Sequence, residues 1–218
     1  IVEAVKARAA ISGMLAGLLT YAGAAGAQSI RPGWGSTPYA DAGGTGVTFR
    51  VWAPGAASAS VAGSFNGWNS GANPLVLESA MSGVWSVDVA AARTNDNYKF
   101  VFNGSDWRTD PRGRIVNAAD HDNSVVVFTN AFDWGGLEPG IPNAHNLVIY
   151  EAHVGTFPGA TGTFAAFSNR LDYLAELGVT GIELMPINEF PSATSWGYNP
   201  SYPFAVEYNY GTPDALRR

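Results

Sequence analysis

Leu147-Val-Ile-Tyr-Glu-Ala-His-Val154 opens the stretch that decides the fold, and Gly181-Ile-Glu-Leu-Met-Pro186 closes it. Both are short apolar runs bounded by turn formers, the second stopped by proline, and both read as buried strands. Between them, residues 163–177 place Phe164, Phe167, Leu171, Leu174 and Leu177 at helical spacing, so one face of a helix is apolar. Thr163 stands where it caps the start, and Gly178 where it ends the helix in a left-handed conformation. Strand, helix and strand with so short a link after the helix imply parallel pairing through a right-handed crossover. A loop rich in turn formers and aromatics follows, Asn188-Glu-Phe-Pro-Ser-Ala-Thr-Ser-Trp-Gly-Tyr-Asn-Pro200. Loops leaving that end of parallel strands are where α/β folds build their sites.

Toward the N terminus the period changes from helical to alternating. Across residues 43–128, short runs such as Val47-Thr-Phe-Arg-Val-Trp52, Ala59-Ser-Val-Ala62, Val84-Trp-Ser-Val-Asp-Val89, Tyr98-Lys-Phe-Val-Phe102 and Ser124-Val-Val-Val-Phe128 are separated by turn signals. Those signals are Pro54-Gly55, Asn66-Gly67, Ser82-Gly83 and Asn103-Gly104. The pattern predicts an antiparallel sandwich of immunoglobulin-like type. Phe49, Trp52, Val61, Trp85, Val87 and Phe100 are its expected core. Residues 129–146 lack a period and read as a linker, which Trp134 and Leu137 are expected to pin to a neighbour. Residues 28–42 read as a leader. Residues 1–27 combine Lys6 and Arg8 with an apolar stretch and a small-residue site, Ala25-Gly-Ala27, which predicts a signal peptide and a secreted or periplasmic protein. A surface helix or a membrane anchor is the other reading, although glycines, Ser12 and Thr20 make a weak span.

Of the 218 residues 46% are hydrophobic and 14% charged, which suits a globular chain with a real core. A net charge of −6 argues against a nucleic-acid partner, because the sequence offers no basic patch to neutralise phosphates. With no cysteine and three histidines, neither a disulfide framework nor a metal-ligand spacing is present in the sequence, and no cofactor motif appears. After Leu147 the acidic residues are Glu151, Asp172, Glu176, Glu183, Glu189, Glu207 and Asp214, and their spacing alone pairs none of them for acid–base work.

Ile149-Tyr-Glu-Ala-His-Val-Gly-Thr-Phe157, Leu174-Ala-Glu-Leu-Gly-Val-Thr-Gly-Ile-Glu-Leu-Met-Pro186, Ser195-Trp-Gly-Tyr-Asn-Pro200 and Tyr210-Gly-Thr-Pro-Asp214 resemble, in order and spacing, the opening of the barrel of the alpha-amylase family (glycoside hydrolase family 13). The likeness is to branching enzymes and to relatives that release trehalose from capped maltodextrins. Gly63-Ser-Phe-Asn-Gly-Trp68, Tyr98-Lys-Phe100 and Trp107-Arg-Thr-Asp-Pro111 resemble the glycogen-binding module (carbohydrate-binding family 48) that precedes such enzymes. The resemblance implies a multidomain chain, with the sandwich followed, over residues 147–218, by the first β/α units of a TIM (β/α)8 barrel.

It also implies an α-glucan partner, with Trp68, Lys99 and Trp107 forming a sugar-binding face and Asn123 a further polar contact. A sugar's C–H face lies on an indole while a lysine donates to its hydroxyls. In some relatives the module instead serves as a structural partner of the barrel. Tyr198 is implied as a stacking platform at the cleavage subsite, with Trp196 packed beneath it, while Asn199 stands where many relatives carry aspartate. His153 reads as a hydrogen-bonded structural residue. The family's retaining mechanism uses an aspartate and a glutamate on the fourth and fifth barrel strands. Residues 147–218 number 72, against roughly 250 for eight units, so those carboxylates are expected beyond Arg218, in a truncated and inactive fragment. Hydrolysis and transfer both stay open. So do a trehalose-releasing hydrolase and a non-catalytic secreted glucan-binding protein.

Overall fold

The computed structural model describes residues 27–128, 132–136, 140, 143–160, 162–192 and 194–218. The expected signal peptide, apart from Ala27, lies outside them, as does Leu137 of the linker.

The N-terminal half is two antiparallel sheets facing each other. One runs β1 (Gly35–Asp41), β2 (Gly44–Trp52), β5 (Val84–Val89), β4 (Val76–Leu77) in spatial order. The other runs β3 (Ala59–Gly63), β6 (Asn97–Phe102), β7 (Asp106–Arg108), with β8 (Ser124–Val125) also on β6. Alternation explains the core. Val47, Phe49 and Val51 of β2, Trp85, Val87 and Val89 of β5, and Tyr98 and Phe100 of β6 all point between the sheets. The expected core residues hold their places except Trp52, which is 63% exposed. The reason is parity: Val51 points inward, so its neighbour must point out.

β1 lies within the stretch read as leader. Its sequence, Gly35-Ser-Thr-Pro-Tyr-Ala-Asp41, has a proline and no large aliphatic, and such a strand is tolerated at an edge, where Pro38 sits opposite Val47. The outward face of β2 is not solvated either. Arg50 donates from Nε to Glu78 Oε1 at 2.6 Å, from Nη1 to Gly33 O at 2.7 Å and from Nη2 to Ser29 O at 3.1 Å, and the Ser29 backbone donates to Ser86 Oγ at 2.9 Å. Residues 29–33 therefore strap that face through polar bonds.

The C-terminal half starts with β9 (Ile149–Ala152), which pairs with β10 (Gly181–Leu184) in parallel, Ile149 beside Gly181 and Ala152 beside Leu184. The parallel pairing is as expected. The single helix is not: it is split into α1 (Phe164–Ser168) and α2 (Leu171–Glu176) at Asn169 and Arg170. Thr163 Oγ1 accepts from the Ala166 backbone at 3.1 Å, which is the N-cap. Gly178 adopts φ +89, its N–H donates to Ala175 O at 3.0 Å and that of Val179 to Leu174 O at 3.0 Å. That pair of bonds is a Schellman stop.

β9 and β10 are not buried strands. Ile149 is 58% exposed, and Val148 and Ile182 are also open, because this sheet has two strands and helices cover one side of it. The local core sits beyond the strand ends, where Ala152, Val154, Phe164, Phe167, Phe190 and Tyr210 meet. The aromatic loop is bracketed by a hairpin, β11 (Asn188–Glu189) with β12 (Tyr202–Val206), and α3 (Pro213–Arg217) closes the described chain, capped by Thr212. Trp134 of the linker is exposed and meets Phe132, 4.9 Å between ring centres, within the linker itself.

The two halves touch along β12. The Val206 backbone donates to Arg114 O at 3.1 Å, Tyr202 Oη to Thr109 Oγ1 at 3.4 Å, and the His121 ring meets Tyr208 edge-on at 4.2 Å.

Candidate functional site

The sandwich presents one cluster assembled from three of the quoted motifs. Phe65 packs against Phe49 at 5.4 Å, which anchors the short 3-10 turn Ser64–Asn66 on the core. The Asn66 side chain then ties the turn together. Its Oδ1 accepts from the Gly63 backbone at 3.0 Å, and its Nδ2 donates to Val61 O at 3.1 Å and to Asn73 Oδ1 at 2.8 Å. The next two residues, Gly67 and Trp68, both sit at φ +62. A left-handed tryptophan is costly, of order 1 kcal/mol or more, and such strain collects at functional positions. The result is an indole held out from the sheet, its centre 6.3 Å from that of Trp107 with the planes 42° apart. Trp68 is 37% exposed and Trp107 39%, so each ring keeps surface open to solvent.

Trp107 lies opposite Val101 in the β6–β7 pairing, and Lys99, two residues along β6, shares that face. The structure therefore brings Trp68, Trp107 and Lys99 to one sheet surface. Lys99 is not a free donor, however: its ammonium binds Asp122, and that bond holds the Asp122 carboxyl below its usual range. Thr109 Oγ1 lies 3.0 Å from Asp122 Oδ1 and orients it further. Asp122 and Thr109 were not legible as site residues, since no local spacing connects them to Lys99. Asn123 is tied back to Asp120 through its own amide, so nothing shows it joining the ring pair.

The aromatic loop builds a second surface. Gly197, at φ +82, lies so close to Pro186 that a Cβ would meet Pro186 O at 2.4 Å, so only glycine fits. Ser195 Oγ donates to Asn199 Oδ1 at 2.7 Å and accepts from the Gly197 backbone at 3.0 Å. An amide oxygen serves that bond as well as a carboxylate. This bracing presents the flanking rings outward, Trp196 at 70% and Tyr198 at 66% exposure. Trp196 therefore does not pack beneath Tyr198, because the tight glycine approach turns both rings away from the loop's floor. It borders a cleft of about 580 Å³ that His153, Thr156, Thr163, Ser195 and Tyr210 also line, whereas Tyr198 does not.

His153 in that cleft is fully engaged. Its Nε2 lies 3.0 Å from Ser195 O and 2.9 Å from Tyr210 Oη, and its Nδ1 3.1 Å from Thr156 Oγ1. A carbonyl can only accept, so Nε2 is the donor to Ser195 O. The carboxylates behind the loop are likewise committed. Glu189 Oε2 accepts from the Tyr208 backbone at 3.0 Å, Glu207 Oε2 from the Phe190 backbone at 3.3 Å, and Glu207 Oε1 from Asn209 Nδ2 at 2.8 Å. They lace β11 to the segment after β12. Among the described residues no group of three or more His, Asp or Glu is placed to hold a metal ion.

The chain thus joins a β-sandwich bearing a paired-indole face to a parallel β-α-β unit. Residues 34–118 match the carbohydrate-binding module 48 family (isoamylase N-terminal domain). The chain is 34% identical over 181 residues to the 1,4-alpha-glucan branching enzyme of Corynebacterium jeikeium, covering 79% of this chain and 25% of that protein. It is also 34% identical over 173 residues to the malto-oligosyltrehalose trehalohydrolase of Saccharolobus solfataricus, covering 79% and 29%. Among solved structures, one described as a "putative alpha amylase" from Salmonella typhimurium superposes with a TM-score of 0.71 at 31% identity, over 86% of this chain and 32% of that one. This chain therefore carries a module 48 domain at its N-terminal side and is similar, along most of its length, to the corresponding part of branching enzymes and of an alpha-amylase structure. It spans about a quarter to a third of the length of the curated relatives it matches.

Proposed function

We propose that this chain is the N-terminal part of an α-glucan-active enzyme in which the sandwich holds the polysaccharide and the residues from 147 onward begin a (β/α)8 catalytic barrel. The observation that carries it is the Trp68–Trp107 pair, two half-open indoles 6.3 Å apart on a rigid sheet. Rings so placed take the apolar faces of a glucan chain, and the Lys99–Asp122 pair beside them supplies both a donor and an acceptor for hydroxyls. The Trp196 and Tyr198 rings border the sugar at the barrel mouth. A retaining mechanism needs a nucleophile and an acid/base about 5–5.5 Å apart. Glu189 and Glu207 are not that pair, because backbone amides already claim them. The reacting carboxylates belong to barrel strands past residue 218, and residues 1–218 alone are inactive. Export, directed by residues 1–27, goes with this reading, and exported material starting at Gln28 by mass spectrometry is the expected result.

Co-sedimentation with glycogen tests the central claim. Trp68→Ala combined with Trp107→Ala is expected to lower binding at least tenfold, since each stacked ring is worth on the order of 1 kcal/mol. Unchanged binding would end the claim. Trehalose among the products of the full-length protein would support the trehalose-releasing reading, which the Saccharolobus solfataricus relative favours equally by identity. New α-1,6 branches would support the branching one.

A further inference from the structure

A groove of about 300 Å³ lies between the end of β2, the turn after β7 and β12, lined by Trp34, Trp52, Asp110, Arg112 and Phe204. It shares no residue with the Trp68–Trp107 face or with the His153 cleft. All three rings keep open surface. Their orientation is set by the fold. Trp52 Nε1 donates to Ser82 O at 3.1 Å, which locks the indole against the turn before β5. Arg112 lies between the other two rings, its guanidinium carbon 5.4 Å from the Trp34 centre and 5.0 Å from the Phe204 centre. The Arg112 backbone donates to Asp110 Oδ1 at 2.8 Å, which fixes the root of the side chain. Among the described residues the guanidinium meets no hydrogen-bond or ion-pair partner, whereas Arg50, on the same wall, is satisfied by Glu78, Gly33 O and Ser29 O. An exposed guanidinium within reach of two open rings can donate to an acceptor-rich ligand whose apolar face lies on those rings.

We propose that this groove is a second α-glucan subsite, with Trp52 and Trp34 as stacking platforms and Arg112 as the hydroxyl-binding group. It rests on the reading that the protein takes α-glucan and adds a site to it. A neutral sugar is favoured over an anion because the Asp110 carboxyl lines the groove, Glu78 offsets the charge of Arg50 on its wall, and the chain carries a net charge of −6. The groove also spans both halves of the molecule, since Phe204 comes from β12, so an occupant bridges sandwich and β-α-β unit.

The test is maltoheptaose titration of the full chain by calorimetry in the Trp68→Ala, Trp107→Ala background. Residual binding is expected there, and adding Trp52→Ala or Arg112→Ala is expected to weaken it at least fivefold. Wild-type binding that vanishes completely in the double-alanine background overturns the subsite while leaving the primary face intact. Residual binding unmoved by Trp52→Ala and Arg112→Ala overturns it too. Absence of binding by the wild type overturns both readings. Indole N–H NMR of the unmutated chain guards against misfolded variants: the Trp34 and Trp52 resonances are expected to shift on maltoheptaose addition. Still resonances, or shifts produced by inorganic phosphate instead, refute the assignment.

Discussion

Asn66 touches no expected ligand, yet its side-chain bonds decide where Trp68 points. Asn66→Ala is expected to cost about 1–3 kcal/mol of stability, from backbone groups left unpaired. It should also lower glycogen binding several-fold, because the left-handed turn loses its brace. An intact affinity at unchanged melting temperature would refute this. Glu189 supports a second prediction. Burial pushes its carboxyl up from the ordinary 4.5 to about 7, with the Tyr208 backbone N–H opposing and the Glu207 charge adding to the rise. The folded protein thus keeps this proton to a higher pH than the unfolded chain does. Between about pH 4.5 and 7 the unfolded state releases it first, so stability falls with rising pH and levels off above about 7. Asp110, raised by burial to about 6, acts with the same sign. Glu189→Gln keeps an acceptor for Tyr208 and removes the titration. Its melting temperature is therefore expected to match the wild type near pH 4.5 and exceed it by a few degrees at pH 8. A difference independent of pH would exclude this account.

At the level of elements, period and parity were readable wherever neighbouring residues decide conformation. The sandwich strands β2, β3, β5 and β6, the parallel β9–β10 pair, the Thr163 cap and the Gly178 stop all follow from local pattern. What the pattern could not show depends on residues far away. β1 is held by pairing to β2, although its own sequence is weakly strand-like. The Asp122 partner of Lys99 is 23 residues distant, and the Trp34–Arg112–Phe204 stack draws on three separate segments. Trp52 was legible and misread, since strict alternation already turns it outward. The aromatic loop gives a prediction at this scale. Gly197 combines φ +82 with a 2.4 Å approach to Pro186 O, so Gly197→Ala must move the backbone that carries Trp196 and Tyr198. A loss of about 2 kcal/mol or more in urea melts is expected. A variant as stable as the parent would show that the loop relaxes freely.

For the molecule as a whole, the two halves differ in how completely each closes its own core. The sandwich buries Val47, Phe49, Val61, Tyr98, Phe100 and Val126 essentially fully between its sheets, and the polar strap at residues 29–33 finishes one face. The β-α-β half leaves Val148, Ile149, Leu171, Leu177 and Ile182 open and leans on the sandwich through Tyr202, Phe204, Val206 and Tyr208. A chain segment with so much uncovered apolar surface loses the hydrophobic driving force that a closed core retains, and it self-associates. Residues 27–128 produced alone are therefore expected to melt in one cooperative transition, with dispersed amide NMR signals. Residues 147–218 alone are expected to bind a hydrophobic dye and to aggregate at micromolar concentration. Joined to the sandwich they are expected to aggregate less readily, because β12 gains the Arg114 backbone bond and the Arg112 contact. A cooperative melt and a dispersed spectrum from residues 147–218 in isolation would show that the sandwich contributes nothing to their folding.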